Sequence, residues 1–254
     1  MLELSSDGDR APRALLRIGG DSVARHQITL VQALGCERVV VLARGLSPDL
    51  IALQHLVERE GGRFHVVNGP QALLGLITVA DEVIVLADGL FVSVPEIATL
   101  LEKGQVVLTQ PIERGLAAGF ERIDLNSAGA GAMRLPGRLI ERLAELPADC
   151  DCFSALQRIA LQAGVAQRPI PTFTEERGFW TLVRNEIEAH ALEPHWIRQQ
   201  TRPTGAVTPG EGVALFGVRV FGPALLHAGS GAGVMGAGAL LLVILALAAS
   251  WFAV

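Results

Sequence analysis

Four short apolar stretches recur at similar intervals in the first half of the chain, and they constrain its fold more than any other feature. All four are rich in β-branched residues: Arg38–Ala43, Arg63–Val67, Glu82–Ala87 and Gln105–Thr109. Continuous apolar stretches of this length are typical of strands that are buried on both faces of a parallel sheet. We therefore expect each of them to be a strand in one sheet.

Helical patterns separate these strands, and residues that favour helix ends mark their limits. The predicted helices are Val23–Leu34, one that begins at Ser47-Pro48, Pro70–Thr78 and Val94–Lys103. Gly35 follows the first of them as a helix cap, and Gly61-Gly62 ends the second. Strands that alternate with helices at this spacing imply right-handed crossovers. The sequence thus predicts an α/β fold with a doubly wound, mostly parallel sheet.

The pattern changes after Pro111. Two further strands, Phe120–Leu125 and Gly131–Leu135, are expected around a small-residue loop at Ser127–Ala132. Three more helices are predicted by apolar periodicity: Gly137–Leu146, Phe153–Ala163 and Glu186–Leu192. We expect this α/β domain to occupy residues 1–200, because a linker rich in Pro, Gly and Thr follows.

The C-terminal stretch Ser230–Val254 contains no charged residue. It is long enough for a membrane-spanning helix, which needs about 20 apolar residues. A buried core helix and an apolar tail are the alternatives. Three arginines precede the stretch, Arg198, Arg202 and Arg219. By the positive-inside rule, they place the N-terminal domain in the cytoplasm, so we expect a single-pass protein of the inner membrane.

Residues 201–229 connect the domain to this predicted helix. Their semi-apolar part, Val213–His227, is interrupted by Arg219 and Pro223 and fits either an interfacial element or a short hydrophobic loop. Small residues recur four apart at Gly229 and Gly233, a spacing that permits close helix–helix approach and homo-oligomer formation. The alternative is that small residues are simply common in membrane helices.

Composition excludes several classes of protein. The net charge is −5 and Tyr is absent, which argues against a nucleic-acid-binding surface. The three cysteines, Cys36, Cys150 and Cys152, have the spacing of neither a disulfide framework nor a zinc site. The first ten residues lack the basic flank and apolar core of a signal peptide, which also agrees with a cytoplasmic domain.

Three segments carry a resemblance to a known family. They are Pro12–Gly20 (PRALLRIGG), Val83–Phe91 (VIVLADGLF) and Gly178–Ala191 (GFWTLVRNEIEAHA). Together they resemble the nucleotidyltransferases of the glycosyltransferase-A-like fold, which join a nucleoside triphosphate to a sugar phosphate or polyol phosphate. The chain is similar in particular to the sugar- or inositol-phosphate cytidylyltransferase domains that accompany membrane CDP-alcohol phosphotransferases. Such a phosphotransferase is therefore an expected partner.

The resemblance implies specific roles. Arg13 takes the place of the family's phosphate-binding lysine, and Asp88 takes the place of the aspartate that holds Mg²⁺. These two residues are the expected catalytic pair, with Mg²⁺ as cofactor. Arg17, Arg114 and Glu121 are expected to bind substrate, the last two because they lie near the small-residue loop where the family binds its acceptor.

Other interpretations of the same residues remain open. Asp88-Gly89 is also a strong turn signal, and Arg13 and Arg17 could be solvated charges that flank the first strand. In the family's closing motif, a second metal-binding aspartate corresponds to Arg184 and its partner to Leu182. The segment Ser5–Ala11 has a single glycine, whereas a triphosphate loop is glycine-rich. A catalytically degenerate domain that serves as a binding or scaffolding module is therefore the second hypothesis.

Overall fold

The computed structural model describes residues 2–3, 12–43, 45–92, 94–102, 104–147, 150–171 and 179–201. The chain divides into two compact units. The first comprises Met1–Arg17 and Asp21–Ala189, and the second comprises Ile18–Gly20 and His190–Val254. The cavity described below lies entirely in the first unit.

The described elements alternate along the chain as the sequence predicts. The strands are β1 (Leu2–Glu3), β2 (Arg17–Ile18), β3 (Asp21–Ser22), β4 (Arg38–Leu42), β5 (Arg63–Val67), β6 (Glu82–Leu86), β7 (Leu90–Val92), β8 (Val106–Pro111), β9 (Ser127–Pro136), β10 (Ala166–Pro169) and β11 (Trp180–Leu182). The α-helices are α1 (Val23–Ala33), α2 (Pro48–Arg59), α3 (Val94–Leu101), α4 (Ile112–Ala117), α5 (Cys152–Gln162) and α6 (Glu186–Gln200), and 3₁₀ turns lie at Arg13–Leu15, Pro70–Gly75 and Gly137–Glu145.

A seven-stranded sheet with the order β10-β8-β9-β6-β1-β4-β5 organises the first unit. Strand β9 pairs antiparallel with both β6 and β8, and the other pairings in this sheet are parallel. Strands β7 and β11 form a separate antiparallel pair. The predicted α/β class with a mostly parallel sheet is therefore confirmed.

Strands β4, β6 and β8 are largely buried, which explains why they are continuously apolar. Alternate residues of β4 belong to different core clusters: Val39 and Val41 belong to the cluster that contains Ile28 of α1, whereas Val40 belongs to the cluster that contains Met133. Because side chains alternate across a strand, a strand with two buried faces needs an apolar residue at nearly every position.

Side-chain caps fix where the helices begin. Ser22 Oγ accepts a hydrogen bond from the backbone N–H of Arg25, and Ser47 Oγ accepts one from Leu50, both at 3.2 Å. Each cap satisfies one of the N–H groups that lack a partner in the first turn. The helix start predicted at Ser47-Pro48 is therefore correct.

Two predicted α-helices are 3₁₀ turns instead. In Pro70–Gly75, Pro70 and Leu73 are both buried; in Gly137–Glu145, Gly137, Ile140 and Leu143 are buried. Apart from Leu139, which is also buried, these residues recur at every third position, which matches the three residues per turn of a 3₁₀ helix. A third helix, α6, is longer than predicted and continues through Pro194, a residue type that usually ends helices.

The small-residue stretch Ser127–Ala132 is part of strand β9, which corrects the prediction of a loop. Its small residues allow other side chains to approach closely: a Cβ atom on Gly129 would lie 2.6 Å from Gln157 Oε1, and one on Gly131 would lie 2.8 Å from Phe120. The predicted strand at Phe120–Leu125 is absent from the described structure, where a single bridge pairs Arg122 with Ala128.

Within the second unit, Gly19 packs against the indole of Trp196. A Cβ atom at this position would lie 2.4 Å from the ring, and the φ angle of +64° also favours glycine. No helix in the described part of the chain is long and apolar enough to cross a membrane. The predicted span at Ser230–Val254 and the segment before it lie outside the described residues, so both stay predictions.

Candidate functional site

A cavity of about 250 Å³ lies beyond the carboxyl end of strand β6. Ala87 and Asp88, which follow that strand, form one part of its wall, and Gly129 and Gly131 of strand β9 form another. Open α/β sheets bind their ligands outside the carboxyl ends of parallel strands. The cavity is therefore the candidate functional site of the first unit.

Asp88 and Gly89 form a turn between β6 and β7 that is held by several hydrogen bonds. Oδ1 of Asp88 accepts a bond from the backbone N–H of Ala14 at 2.9 Å. The carbonyl of Gly89 accepts one from the N–H of Val183 at 2.8 Å. Gly89 has a φ of +77°, and a Cβ atom there would lie 2.5 Å from the Val183 oxygen. The turn interpretation of Asp88-Gly89 is thus correct, and the same turn carries the carboxylate to the cavity.

A buried amide supports this turn from helix α1. Nε2 of Gln27 donates to the carbonyls of Ala87 and Leu90, each at 2.9 Å, and so bridges the residues on either side of Asp88-Gly89. Gln27 is 2 % exposed. Its role was not predicted, because the contact joins a helix to a turn sixty residues away and leaves no local pattern in the sequence.

Arg13 reaches the cavity from the other side of the turn. It begins the 3₁₀ turn after Pro12, and its Cβ lies 3.0 Å from the position that a Cβ on Gly89 would occupy. Arg13 and Asp88, which are far apart in sequence, therefore line the same cavity. This is the arrangement that the predicted catalytic pair requires, although their roles stay predictions.

Helix α5 and the segment after α4 also contribute polar groups to the cavity wall. Ser154 Oγ donates to Oε1 of Glu121 at 2.7 Å, and Asp151 caps the helix by accepting from the N–H of Ser154. Gln157, which is 5 % exposed, lies one turn farther along α5. Glu121 was predicted as a substrate-binding residue, whereas Ser154 and Gln157 were not. In the sequence, Ser154 and Gln157 lie one helical turn apart after the capping residue Asp151, and this spacing could have indicated that they share one face of the helix.

The structure places the two other predicted substrate-binding residues elsewhere. Arg17 is largely exposed and lies 3.9 Å from the carboxylate of Asp49. Arg114 is exposed on helix α4. Among the described residues, neither belongs to the cavity wall. Their proposed contacts with substrate stay predictions.

The position expected for a second metal-binding carboxylate carries an ion pair. Arg184 donates from Nε to Glu188 Oε1 at 3.0 Å, and its Nη2 lies 2.8 Å from the same oxygen. Burial raises the pKa of the Glu188 carboxyl, but the hydrogen bonds from Arg184 outweigh it and hold that pKa below its usual value. In the part of the chain that the structure describes, no group of three or more metal-ligating side chains occurs.

Comparison with known proteins identifies the fold. Neither a family model nor a curated protein matches the sequence. Among solved structures, the chain resembles one from Bacillus anthracis that was solved with a bound sucrose and is assigned as a glucose-1-phosphate thymidylyltransferase. The two share 16 % identity and superpose with a TM-score of 0.55 over 76 % of this chain and 93 % of the other.

The two proteins share a fold. Over the matched part of the chain, the mixed α/β fold that the sequence predicted is therefore also the fold of that solved structure. The narrower resemblance, to cytidylyltransferase domains that accompany CDP-alcohol phosphotransferases, stays a prediction.

Proposed function

We propose that the chain is a nucleotidyltransferase that joins a nucleoside triphosphate to a sugar phosphate or polyol phosphate. The observation that carries this proposal is the convergence of Arg13 and Asp88 on one cavity at the carboxyl end of β6. In the reaction, a phosphate oxygen of the acceptor bonds to the α-phosphorus of the nucleotide. The bond between the α- and β-phosphates breaks, and pyrophosphate leaves.

The residues of the cavity divide this task. The Arg13 guanidinium supplies positive charge and hydrogen-bond donors for phosphate oxygens. Glu121, Ser154 and Gln157 offer acceptors and donors that suit the hydroxyl groups of a sugar or polyol. The cavity thus has one part suited to phosphate and another suited to hydroxyl groups.

The donor set fits a magnesium ion that arrives with a phosphorylated ligand. Mg²⁺ is commonly held by one or two carboxylates together with substrate phosphates. Asp88 is that single carboxylate here, and the N–H of Ala14 fixes its orientation. When bound, the ion would neutralise charge on the phosphates. Arg184 cannot be a ligand, because a guanidinium has no lone pair to donate at neutral pH.

Substitution at the cavity tests the proposal. Full-length protein in detergent is mixed with Mg²⁺, one of the four common nucleoside triphosphates and one acceptor. The acceptors are glucose 1-phosphate, glycerol 3-phosphate and inositol 1-phosphate. Pyrophosphate release is measured for each pair. We expect Asp88→Asn and Arg13→Gln to reduce turnover by about 100-fold or more, as for groups that stabilise transition-state charge.

Asp21→Asn and Arg25→Gln are matched controls, because these two residues form an exposed ion pair at 3.3 Å outside the cavity. Turnover that survives Asp88→Asn would show that Asp88 is not part of the catalytic site. If none of the nucleotides binds at millimolar concentration, the enzyme proposal fails.

A non-catalytic binding module is the second candidate function. The specific observation that favours it is Arg184, whose pairing with Glu188 occupies the place of a metal-binding acid. This candidate predicts that a phosphorylated ligand binds without turnover with any of the twelve nucleotide–acceptor pairs. Pyrophosphate release that depends on Asp88 would exclude it.

We also propose that Ser230–Val254 anchors the protein in the inner membrane with its first unit in the cytoplasm, next to a CDP-alcohol phosphotransferase or a second copy of the chain. The uncharged sequence supports this proposal. The full chain should resist extraction from membranes at alkaline pH, and a chain that ends at residue 229 should not. Complete extraction of the full chain would refute the anchor.

A further inference from the structure

Arg184 lies beside Gly119, a residue of the cavity wall, in a defined orientation. Its backbone N–H donates to Oε2 of Glu188 at 2.9 Å, while its Nε and Nη2 contact Oε1 of the same carboxylate. One glutamate therefore holds both the main chain and the guanidinium of this arginine. Such an arrangement limits the rotamers of a side chain that would otherwise be free to move at the surface.

The Arg184 side chain also lies beside Gly119, which belongs to the cavity wall. Nη1 of Arg184 lies 3.4 Å from the position that a Cβ atom on Gly119 would occupy, closer than Cδ or Cζ. Gly119 also has a φ of +85°, so the turn there favours a residue without a side chain. The Arg184 side chain therefore packs beside a residue of the cavity wall.

The charges of the cavity wall suggest a binding role for the Arg184 guanidinium. Asp88, Glu121 and Asp151 all line the cavity, and Arg13 is the basic residue of its described wall. An anionic ligand in this cavity therefore needs more positive charge than Arg13 alone supplies. Because Glu188 engages the Nε and Nη2 edge, Nη1 is the donor group that lies nearest to Gly119 of the cavity wall.

We propose that Arg184 is a phosphate-binding residue that, together with Arg13, holds the phosphate group of the ligand. This inference rests on the proposed function and deepens it. A carboxylate at this position would bind phosphate indirectly, through a metal ion. The guanidinium supplies the positive charge itself, and Glu188 is the positioning residue that orients it.

The inference can be tested by binding alone. Inorganic phosphate is the probe, titrated into the full-length protein with EDTA present and followed by ³¹P line broadening. We expect Arg184→Gln to raise the Kd about tenfold or more, the effect of losing a charge-assisted hydrogen bond. Arg184→Lys should retain part of the affinity, and Glu188→Gln should weaken it about two- to fivefold by freeing the guanidinium.

Arg25→Gln is the matched control, because Arg25 also forms an exposed ion pair with an acid four residues away. A Kd that is unchanged by Arg184→Gln, or changed equally by Arg25→Gln, overturns the inference. The absence of saturable binding to the unsubstituted protein overturns it as well. Unchanged circular dichroism confirms that each variant is folded.

The inference and the proposed function fail in different ways. Phosphate binding that depends on Arg184, without pyrophosphate release from any nucleotide, refutes the transferase proposal and supports the inference. Turnover that depends on Asp88 but not on Arg184 refutes the inference and supports the transferase proposal.

Discussion

Replacement of Gly89 by alanine tests how tightly the turn that carries Asp88 is held. A Cβ atom there would lie 2.5 Å from the Val183 oxygen and 3.0 Å from Arg13 Cβ. The φ of +77° adds the cost of a left-handed alanine, about 1 to 2 kcal/mol. Relief of the clash needs the backbone to move, which costs about 1 to 3 kcal/mol for overpacking and about 1 kcal/mol for the Val183–Gly89 hydrogen bond. The expected total is about 3 to 6 kcal/mol.

Gly35 provides a matched control for the part of this free-energy cost that comes from the left-handed backbone conformation. Its φ is +81°, and a Cβ atom there would meet nothing within 4 Å. Gly35→Ala should therefore cost only about 1 to 2 kcal/mol. The assay is urea unfolding of the full-length protein in detergent, followed by tryptophan fluorescence. Equal free energies of unfolding for the two variants would refute the steric reasoning, because only Gly89 has backbone in the way.

Two further predictions concern hydrogen bonds near the strand ends. Gln27→Met should lower the free energy of unfolding by about 1 to 3 kcal/mol, because the carbonyls of Ala87 and Leu90 lose their buried donor. Removal of Gln27 Oε1, which has no partner in the described part of the chain, offsets part of this loss. An unchanged urea midpoint would contradict the prediction. Asp81 accepts hydrogen bonds from the N–H and hydroxyl of Thr78, which hold the pKa of its carboxyl below the usual value. Its stabilising contribution is present above the unfolded pKa of about 4 and is lost as pH falls through the lower folded value. The difference between the urea midpoints at pH 7 and pH 3 should therefore be smaller for Asp81→Asn than for the unsubstituted protein. An equal difference in the two proteins would show that the Asp81 carboxylate does not stabilise the fold.

The four short apolar strands of the first half of the chain could be predicted to within two residues at each end. The prediction for Arg63–Val67 matches β5, and that for Glu82–Ala87 exceeds β6 by one residue. Strand β9 was predicted wrongly as a small-residue loop followed by a short strand. Gly129 and Gly131 of this strand are small because the side chains of Gln157 and Phe120 pack against them. Local propensity carries no information about such tertiary contacts.

The candidate site could be predicted only in part, for a similar reason. Asp88 follows a buried strand, so its place at the sheet edge could be inferred from chain position. Arg13 was found through the resemblance to the nucleotidyltransferases. Ser154 was missed because its contact with Glu121 joins two segments that are 33 residues apart. Arg184 was treated as the loss of a metal ligand, and its orientation by Glu188 became visible only in three dimensions.

The glycines of strand β9 show why the cavity wall cannot simply be filled by larger side chains. Glycine in the middle of a strand costs about 0.5 to 1 kcal/mol relative to alanine. Gly129 and Gly131 nevertheless lie in a central strand, and their lack of side chains shapes the cavity wall. A Cβ atom on Gly129 would lie 2.6 Å from Gln157 Oε1, one on Gly131 would lie 2.8 Å from Phe120, and Gly131 has a φ of +76°. Packing and backbone conformation therefore favour both glycines in either candidate function, and the two candidates differ in whether the ligand reacts.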